Sequence, residues 1–239
     1  MQSKIFNTKE ELNRAFTEYL KEILEDRERV TVALSGGSTP KSLFDHWARH
    51  HATDIDWKSI FLFWGDERCV PPTDEQSNYK MTRDHLLDHV SIPERNVFRI
   101  KGENDPVAEA QRYSTLLQME VETVDTVPSF DLVILGLGDD GHTASLFPHE
   151  MDLWDSADLC VVGTHPDSGQ KRISLSGKVI NHAQRVAFLV TGTAKAEKVK
   201  QVIEPGKEAT AVYPAAKVKP LTDNLVWFLD KEAARLLGK

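Results

Sequence analysis

Four short stretches gather groups that bind anions or move protons: Ser35-Gly-Gly-Ser-Thr39, Gly65-Asp-Glu-Arg68, Gly136-Leu-Gly-Asp-Asp-Gly-His142 and Gly192-Thr-Ala-Lys195. His142 is the best candidate for proton transfer. An imidazole titrates near neutrality, so it takes a proton from water and returns it. Asp140 lies two residues away across a glycine turn, placed to orient the ring and hold its charge. The loop of Ser35, Gly36, Gly37, Ser38 and Thr39 suits a phosphate. Its glycines let the backbone approach an anion, its N–H groups point outward and its hydroxyls donate. It is not a P-loop, because the G-x-x-x-x-G-K-[ST] spacing is absent. Cations are available in Arg68, Arg172 and Lys195. Lys195 is expected in the first turn of a helix, where the dipole disfavours a cation unless an anionic ligand is bound there.

Other constellations carry less. Gly136-Leu-Gly138-Asp-Asp-Gly141 satisfies the dinucleotide fingerprint G-x-G-x-x-G. However, Asp139 and Asp140 would face a pyrophosphate. The next strand, Leu159 to Val162, ends in Gly163 and Thr164 without the acid that holds a ribose. A nicotinamide cofactor is therefore not expected. His46 and His50, and His85 and His89, are each four residues apart, as two metal ligands on one helical face would be. Neither pair has the metalloprotease Glu, and both read as solvated helix faces with no metal. Cys69 beside Arg68 has the setting of an activated nucleophile, but a small residue packed under the loop is the preferred reading.

The elements that must position these groups alternate β-rich runs with helical stretches. Thr8 to about Arg27 has Leu12, Phe16, Tyr19, Leu20 and Ile23 at helical spacing. Val30 to Leu34 reads as a buried strand, followed by a helix opening at Pro40. Strands are expected at Ile60–Trp64, Val97–Ile100, Asp131–Leu135, Arg185–Thr191 and Leu225–Leu229. Helices are expected over Ser77–Leu87, Pro106–Met119, Thr193–Ile203 and after the last strand. Continuous apolar strands alternating with helices predict an α/β fold, a mostly parallel sheet with helices on both faces. In such a sheet ligands bind beyond the carboxyl ends of the strands, which is where the four stretches fall. One domain over residues 1–239 is expected, with a small lobe near residues 150–180.

Composition narrows the class. Of 239 residues, 40% are hydrophobic and 28% charged, which excludes disordered and collagen-like chains. Asp plus Glu is 37 against 29 Lys plus Arg, a net charge of −8 that disfavours nonspecific nucleic-acid binding. No apolar run approaches the roughly 18 residues a membrane helix needs. The first residues lack the apolar core of a secretory signal, so no membrane partner is expected. Two cysteines make no disulfide framework and fit a reducing cytoplasm.

Together these residues resemble the 6-phosphogluconolactonase family. The matching stretches are Leu34-Ser-Gly-Gly-Ser-Thr-Pro40, Phe63-Trp-Gly-Asp-Glu-Arg-Cys-Val-Pro71 with Ser77-Asn-Tyr79, and Gly136-Leu-Gly-Asp-Asp-Gly-His-Thr-Ala-Ser-Leu-Phe-Pro148. Weaker matches are Arg172-Ile-Ser-Leu175, Asn181 and Gly192-Thr-Ala-Lys195. The resemblance implies a modified Rossmann-like fold, hydrolysis of a phosphosugar lactone in the pentose phosphate pathway, and no metal or organic cofactor. His142 would then deprotonate water, with Asp140 orienting it. Arg68, or N–H groups of the glycine loops that include Gly138, would stabilise the oxyanion. Asp66 would position Arg68 or a sugar hydroxyl, and the Gly36–Thr39 loop with Arg172 and Lys195 would hold the phosphate. A glucosamine-6-phosphate deaminase shares the first loop and a Gly-His turn, but continues with an Asn-Glu-Pro segment where this chain has Thr-Ala-Ser-Leu-Phe-Pro. A non-catalytic sugar-phosphate sensor would not need the base.

Overall fold

The apolar run Val30-Thr-Val-Ala-Leu34 is a strand buried along its whole length, so side chains on both of its faces are covered. The same holds for the strands at Leu132–Leu135, Val186–Val190 and Leu225–Asp230. The computed structural model describes residues 1–204 and 212–238. In chain order the elements begin β1 (Gln2–Phe6), α1 (Lys9–Leu24), β2 (Val30–Leu34), α2 (Ser38–His50), β3 (Ile60–Trp64) and β4 (Asp66–Arg68). They continue with α3 (Asn78–His85), β5 (Val97–Phe98), α4 (Pro106–Glu120), β6 (Thr123–Val124), β7 (Val127–Pro128) and β8 (Leu132–Leu135). The last are β9 (Cys160–Thr164), β10 (Lys171–Leu175), α5 (Gly177–His182), β11 (Val186–Val190), α6 (Ala196–Ile203) and β12 (Leu225–Asp230).

Seven strands form the main sheet in the order β1-β12-β11-β8-β2-β3-β5, and every pairing is parallel. From β2 the chain winds outward through β3 and β5. From β8 it winds the other way through β11 and β12. The direction therefore reverses between β2 and β8, and a crevice opens there beyond the strands' carboxyl ends. A second sheet, β4-β10-β9, is antiparallel. It joins the first where the Leu175 N–H donates to the Gly65 carbonyl at 2.8 Å.

The structure differs from the sequence expectations at several ends. α2 begins at Ser38 rather than Pro40. A helix leaves its first four N–H groups unbonded within itself, so proline at the third position loses nothing. Gly37 caps this helix at φ +105°, a conformation that favours glycine. The residues after β12 form turns, not a helix. There the Asp230 carboxylate accepts from the Gly192 and Ala233 N–H groups, and Leu237 N–H turns back to the Ala234 carbonyl. Lys195 lies in a 3-10 turn, Thr193–Lys195, ahead of α6. β1 and β4 have no counterpart in the sequence reading.

Candidate active site

The crevice between β2 and β8 holds a cavity of about 240 Å³. Ser35, Gly36 and Gly37 line it from the end of β2, and Gly136, Leu137, Gly138, Asp139, His142 and Ala144 from the loop after β8. The small sheet supplies Asp66, Arg68 and Arg172, α3 supplies Asn78, and Lys195 comes from the turn before α6.

His142 and Asp140 form a dyad. Nδ1 of His142 lies 2.6 Å from Oδ1 of Asp140, and the His142 backbone N–H donates to the same oxygen at 3.0 Å. Burial works to raise the Asp140 pKa, but these bonds to His142 outweigh it and hold the carboxyl at about 2. An ionised carboxylate only accepts, so Nδ1 carries the ring proton and Nε2 is the basic atom. Gly138 permits this arrangement, since a Cβ there would stand 2.1 Å from His142 Nδ1. The Phe147 ring backs the imidazole, with centroids 4.8 Å apart.

The depressed Asp140 value has a consequence for folding. A carboxyl lowered on folding contributes stability that is complete above its unfolded pKa, near 3.8, and is lost as pH falls towards about 2. Asp140→Asn should lack this component. The pH dependence of the denaturation midpoint, compared between the two proteins from neutral pH to about 2, checks it.

Arg68 and Arg172 face each other across the β4–β10 register. Arg68 Nη1 donates to the Gln76 carbonyl at 2.6 Å, and the Arg172 guanidinium lies 5.6 Å from the centroid of Phe147. The Nε atom of each is buried without a partner. Burial, then the charge of Arg68, lowers the Arg172 pKa. Two like charges with unmet donors at one wall of a cavity call for an anion. Asp66 is buried, and its Oδ2 accepts from the Ser145 hydroxyl at 2.6 Å. The carboxylate is thus held by Ser145, and among the described residues it makes no ion pair with the Arg68 guanidinium.

Glu67 explains why a run of charged residues forms a strand here. Its carboxylate accepts from the backbone N–H groups of Arg68, Asn78 and Tyr79 and from the Ser77 hydroxyl. Burial pushes its pKa up against these four bonds. The contacts tie β4 to the start of α3 and place Asn78 in the cavity wall, where Nδ2 donates to the Asp66 carbonyl at 2.9 Å. Position 36 must be glycine for this, because a Cβ would fall 1.9 Å from Asn78 Oδ1.

The cavity thus brings together Ser35, Gly36, Gly37, Asp66, Arg68, Gly138, His142, Arg172 and Lys195, with Asp140 bonded behind His142. Ser38 and Thr39 do not line it. Both sit in the first turn of α2, Ser38 exposed and the Thr39 hydroxyl 2.9 Å from that of Thr191. Asn78 and Asp139 were not among the expected site residues. Asn78 carries no charge, and its one signal in the sequence is its place in the matching stretch Ser77-Asn-Tyr79. Asp139 drew attention only as an obstacle to a dinucleotide.

The remaining chemistry-bearing residues have structural places. Burial, then the charge of Glu67, pushes the Cys69 thiol up to about 11, far from an activated thiolate. Cys69→Ser should leave kcat and KM within about twofold of the parent, read in the assay below. His46 is only half-buried rather than solvated, its ring 5.0 Å from that of His50 and 5.2 Å from that of His51. His85 bonds Asp45 at 2.8 Å. Among the described residues, no group of three or more His, Cys, Asp or Glu is arranged to hold a metal, and no helix is long and apolar enough to cross a membrane.

The chain is similar to known proteins in sequence and in fold. Residues 7–227 match the family model described as glucosamine-6-phosphate isomerases/6-phosphogluconolactonase. A 6-phosphogluconolactonase of Haemophilus influenzae is 46% identical over 211 residues, covering 87% of this chain and 88% of that one. The crystal structure of a devB protein superposes with a TM-score of 0.93 at 40% identity, covering 99% of both chains. A 6-phosphogluconolactonase structure from Trypanosoma brucei gives 0.88 at 30% identity, covering 99% of this chain and 98% of that one.

Proposed function

Because the chain belongs to the family of glucosamine-6-phosphate isomerases and 6-phosphogluconolactonases, we propose that it hydrolyses 6-phospho-D-glucono-1,5-lactone to 6-phospho-D-gluconate, a step of the oxidative pentose phosphate pathway. The observation that carries this reading is the His142–Asp140 dyad on the wall of a cavity that also holds two arginines with unmet donors.

A lactone is an activated ester, so it asks for a positioned water, a base and charge stabilisation. His142 Nε2 takes a proton from water as the oxygen attacks C1. Asp140 holds the imidazolium that forms. The carbonyl oxygen gains charge, which Arg68 or the N–H groups around Gly138 stabilise. When the C1–O5 bond breaks, His142 returns its proton to the departing ring oxygen, and water has been added across the ester. Arg172 and Lys195, with the backbone of Ser35, Gly36 and Gly37, hold the phosphate. The buried Asp66 carboxylate, fixed by Ser145, receives a sugar hydroxyl.

We read the whole chain as one lactonase domain, in which the β9–β10 hairpin forms the small lobe. Its partner is the phosphosugar lactone, and an excess of acidic residues argues against nucleic acid. Two free thiols, Cys69 and Cys160, fit a reducing cytoplasm.

The test generates the lactone in situ from glucose-6-phosphate with a separate dehydrogenase. Added 6-phosphogluconate dehydrogenase reports product, and spontaneous opening is measured without the protein. Acceleration that scales with the protein is expected. Its absence from folded protein would overturn the reading, and release of ammonia from glucosamine-6-phosphate would replace it with the deaminase.

A further inference from the structure

The cavity contains one charge that the reaction does not use. Asp140 turns to His142, but its neighbour Asp139 bonds Lys195, with Oδ1 2.5 Å from Nζ. Among the described residues this is the one hydrogen bond that the Lys195 ammonium makes. The lysine side chain is 27% exposed and that of Asp139 is 80% exposed. The lysine is therefore drawn into the cavity wall, whereas its carboxylate stands in solvent at the rim. Arg68 and Arg172, on the wall of the same cavity, have no carboxylate in ion-pair contact among the described residues. Of the three cavity cations, Lys195 alone is paired with a carboxylate among the described residues, and that carboxylate is one that water already surrounds.

Pairs this exposed are weak, and a doubly charged phosphate inside the cavity outcompetes a single carboxylate for the same ammonium. Hydrolysis then changes the balance. The lactone carries charge only on its phosphate, whereas the product has gained a carboxylate beside His142, next to Asp139 and Asp140 in the chain. Like charges at this range disfavour the product more than the substrate.

We propose that Asp139 is a competing counter-ion: it holds Lys195 in the free protein, yields it to the phosphate of the substrate, and reclaims it as the more highly charged product leaves. The inference rests on the lactonase reading for its ligands. Asp139 is a positioning and specificity residue and takes no part in proton transfer. Its presence keeps anion affinity below what the cations alone would give.

The test compares the parent with Asp139→Asn, each with and without Lys195→Met. Three quantities are measured: KM for the lactone, inhibition by 6-phosphogluconate, and calorimetric Kd values for 6-phosphogluconate and inorganic phosphate without turnover. Asp139→Asn should bind all three anions about two- to fivefold more tightly. Product should gain more than lactone, and the difference should shrink as salt is raised. In the Lys195→Met background the gain should vanish. Unchanged or weaker binding by Asp139→Asn, or a gain that survives loss of Lys195, would overturn the proposal. Tighter phosphate binding by Asp139→Asn in a protein that fails to hydrolyse the lactone would sink the lactonase reading and leave the counter-ion standing. Hydrolysis with unaltered affinities would do the reverse.

Discussion

His142→Ala should lower kcat by about 10²- to 10⁴-fold, the usual contribution of a positioned general acid and base, with little change in KM. Among the described residues, the imidazole is the one proton-accepting group on the cavity wall that a carboxylate orients, through the 2.6 Å contact with Asp140. The groups assigned to the phosphate, Arg172, Lys195 and the Gly36–Gly37 backbone, are separate side chains and peptide units, so binding should survive. The imidazole is a quarter exposed, and its removal leaves a wetted space rather than a void in the core. Circular dichroism should match the parent, and thermal unfolding should fall only by what the side-chain bond to Asp140 contributes. The coupled assay above measures the loss against spontaneous ring opening. A folded variant with near-parent turnover would show that the base lies elsewhere.

Gly138→Ala should be almost as damaging, although it removes no functional group. The added Cβ would stand 2.1 Å from Nδ1 and 2.3 Å from Cε1 of His142. The backbone at 138 lies outside the left-handed region, so alanine strains no dihedral there. The whole cost falls on the ring, which must leave its seat against Asp140. Displacing a reacting group by about an ångström typically costs about 10²-fold in rate. A fall in kcat of about that size, with KM for the phosphosugar close to the parent value, is the expected outcome. The NMR signal of the His142 Nδ1 proton should shift or broaden, reporting the lost bond to Asp140. A variant with parent kcat would mean that the ring acts from another position.

The strands that position this site were legible wherever an apolar run ended in turn residues. β2 and β3 begin and end at the residues the sequence predicts, Val30–Leu34 and Ile60–Trp64. β1 escaped because Gln2-Ser-Lys-Ile-Phe6 is an edge strand, half polar and paired only with β12. β4 escaped because Asp-Glu-Arg reads as a loop until its partners are known. Those partners come from ten or more residues away, the start of α3 for Glu67 and Ser145 for Asp66. The dyad was visible from local spacing, two residues across a glycine turn. That Arg172 faces Arg68 depends on a pairing more than a hundred residues apart in sequence, which no local pattern carries. Ser38 and Thr39 were expected in the cavity and do not line it: the helix starts two residues earlier than proline suggests, so both lie in its first turn, Ser38 exposed and the Thr39 hydroxyl beside that of Thr191.

The base and the arginines stand on different sheets. His142 and Asp140 hang from a loop of the seven-stranded parallel sheet, whereas Arg68 and Arg172 lie on the three-stranded antiparallel one. The hairpin between β9 and β10 turns at residues 165–170, and its His165 ring packs 5.6 Å from that of Phe147, which in turn backs His142. This separation makes the molecule modular in an evolutionary sense. A change at Arg68 or Arg172 alters the charge that the small sheet presents to the cavity without removing a member of the dyad. Drift in the dyad loop, by contrast, meets the constraint at Gly138 at once. Selectivity and chemistry in this scaffold are therefore free to change at different rates.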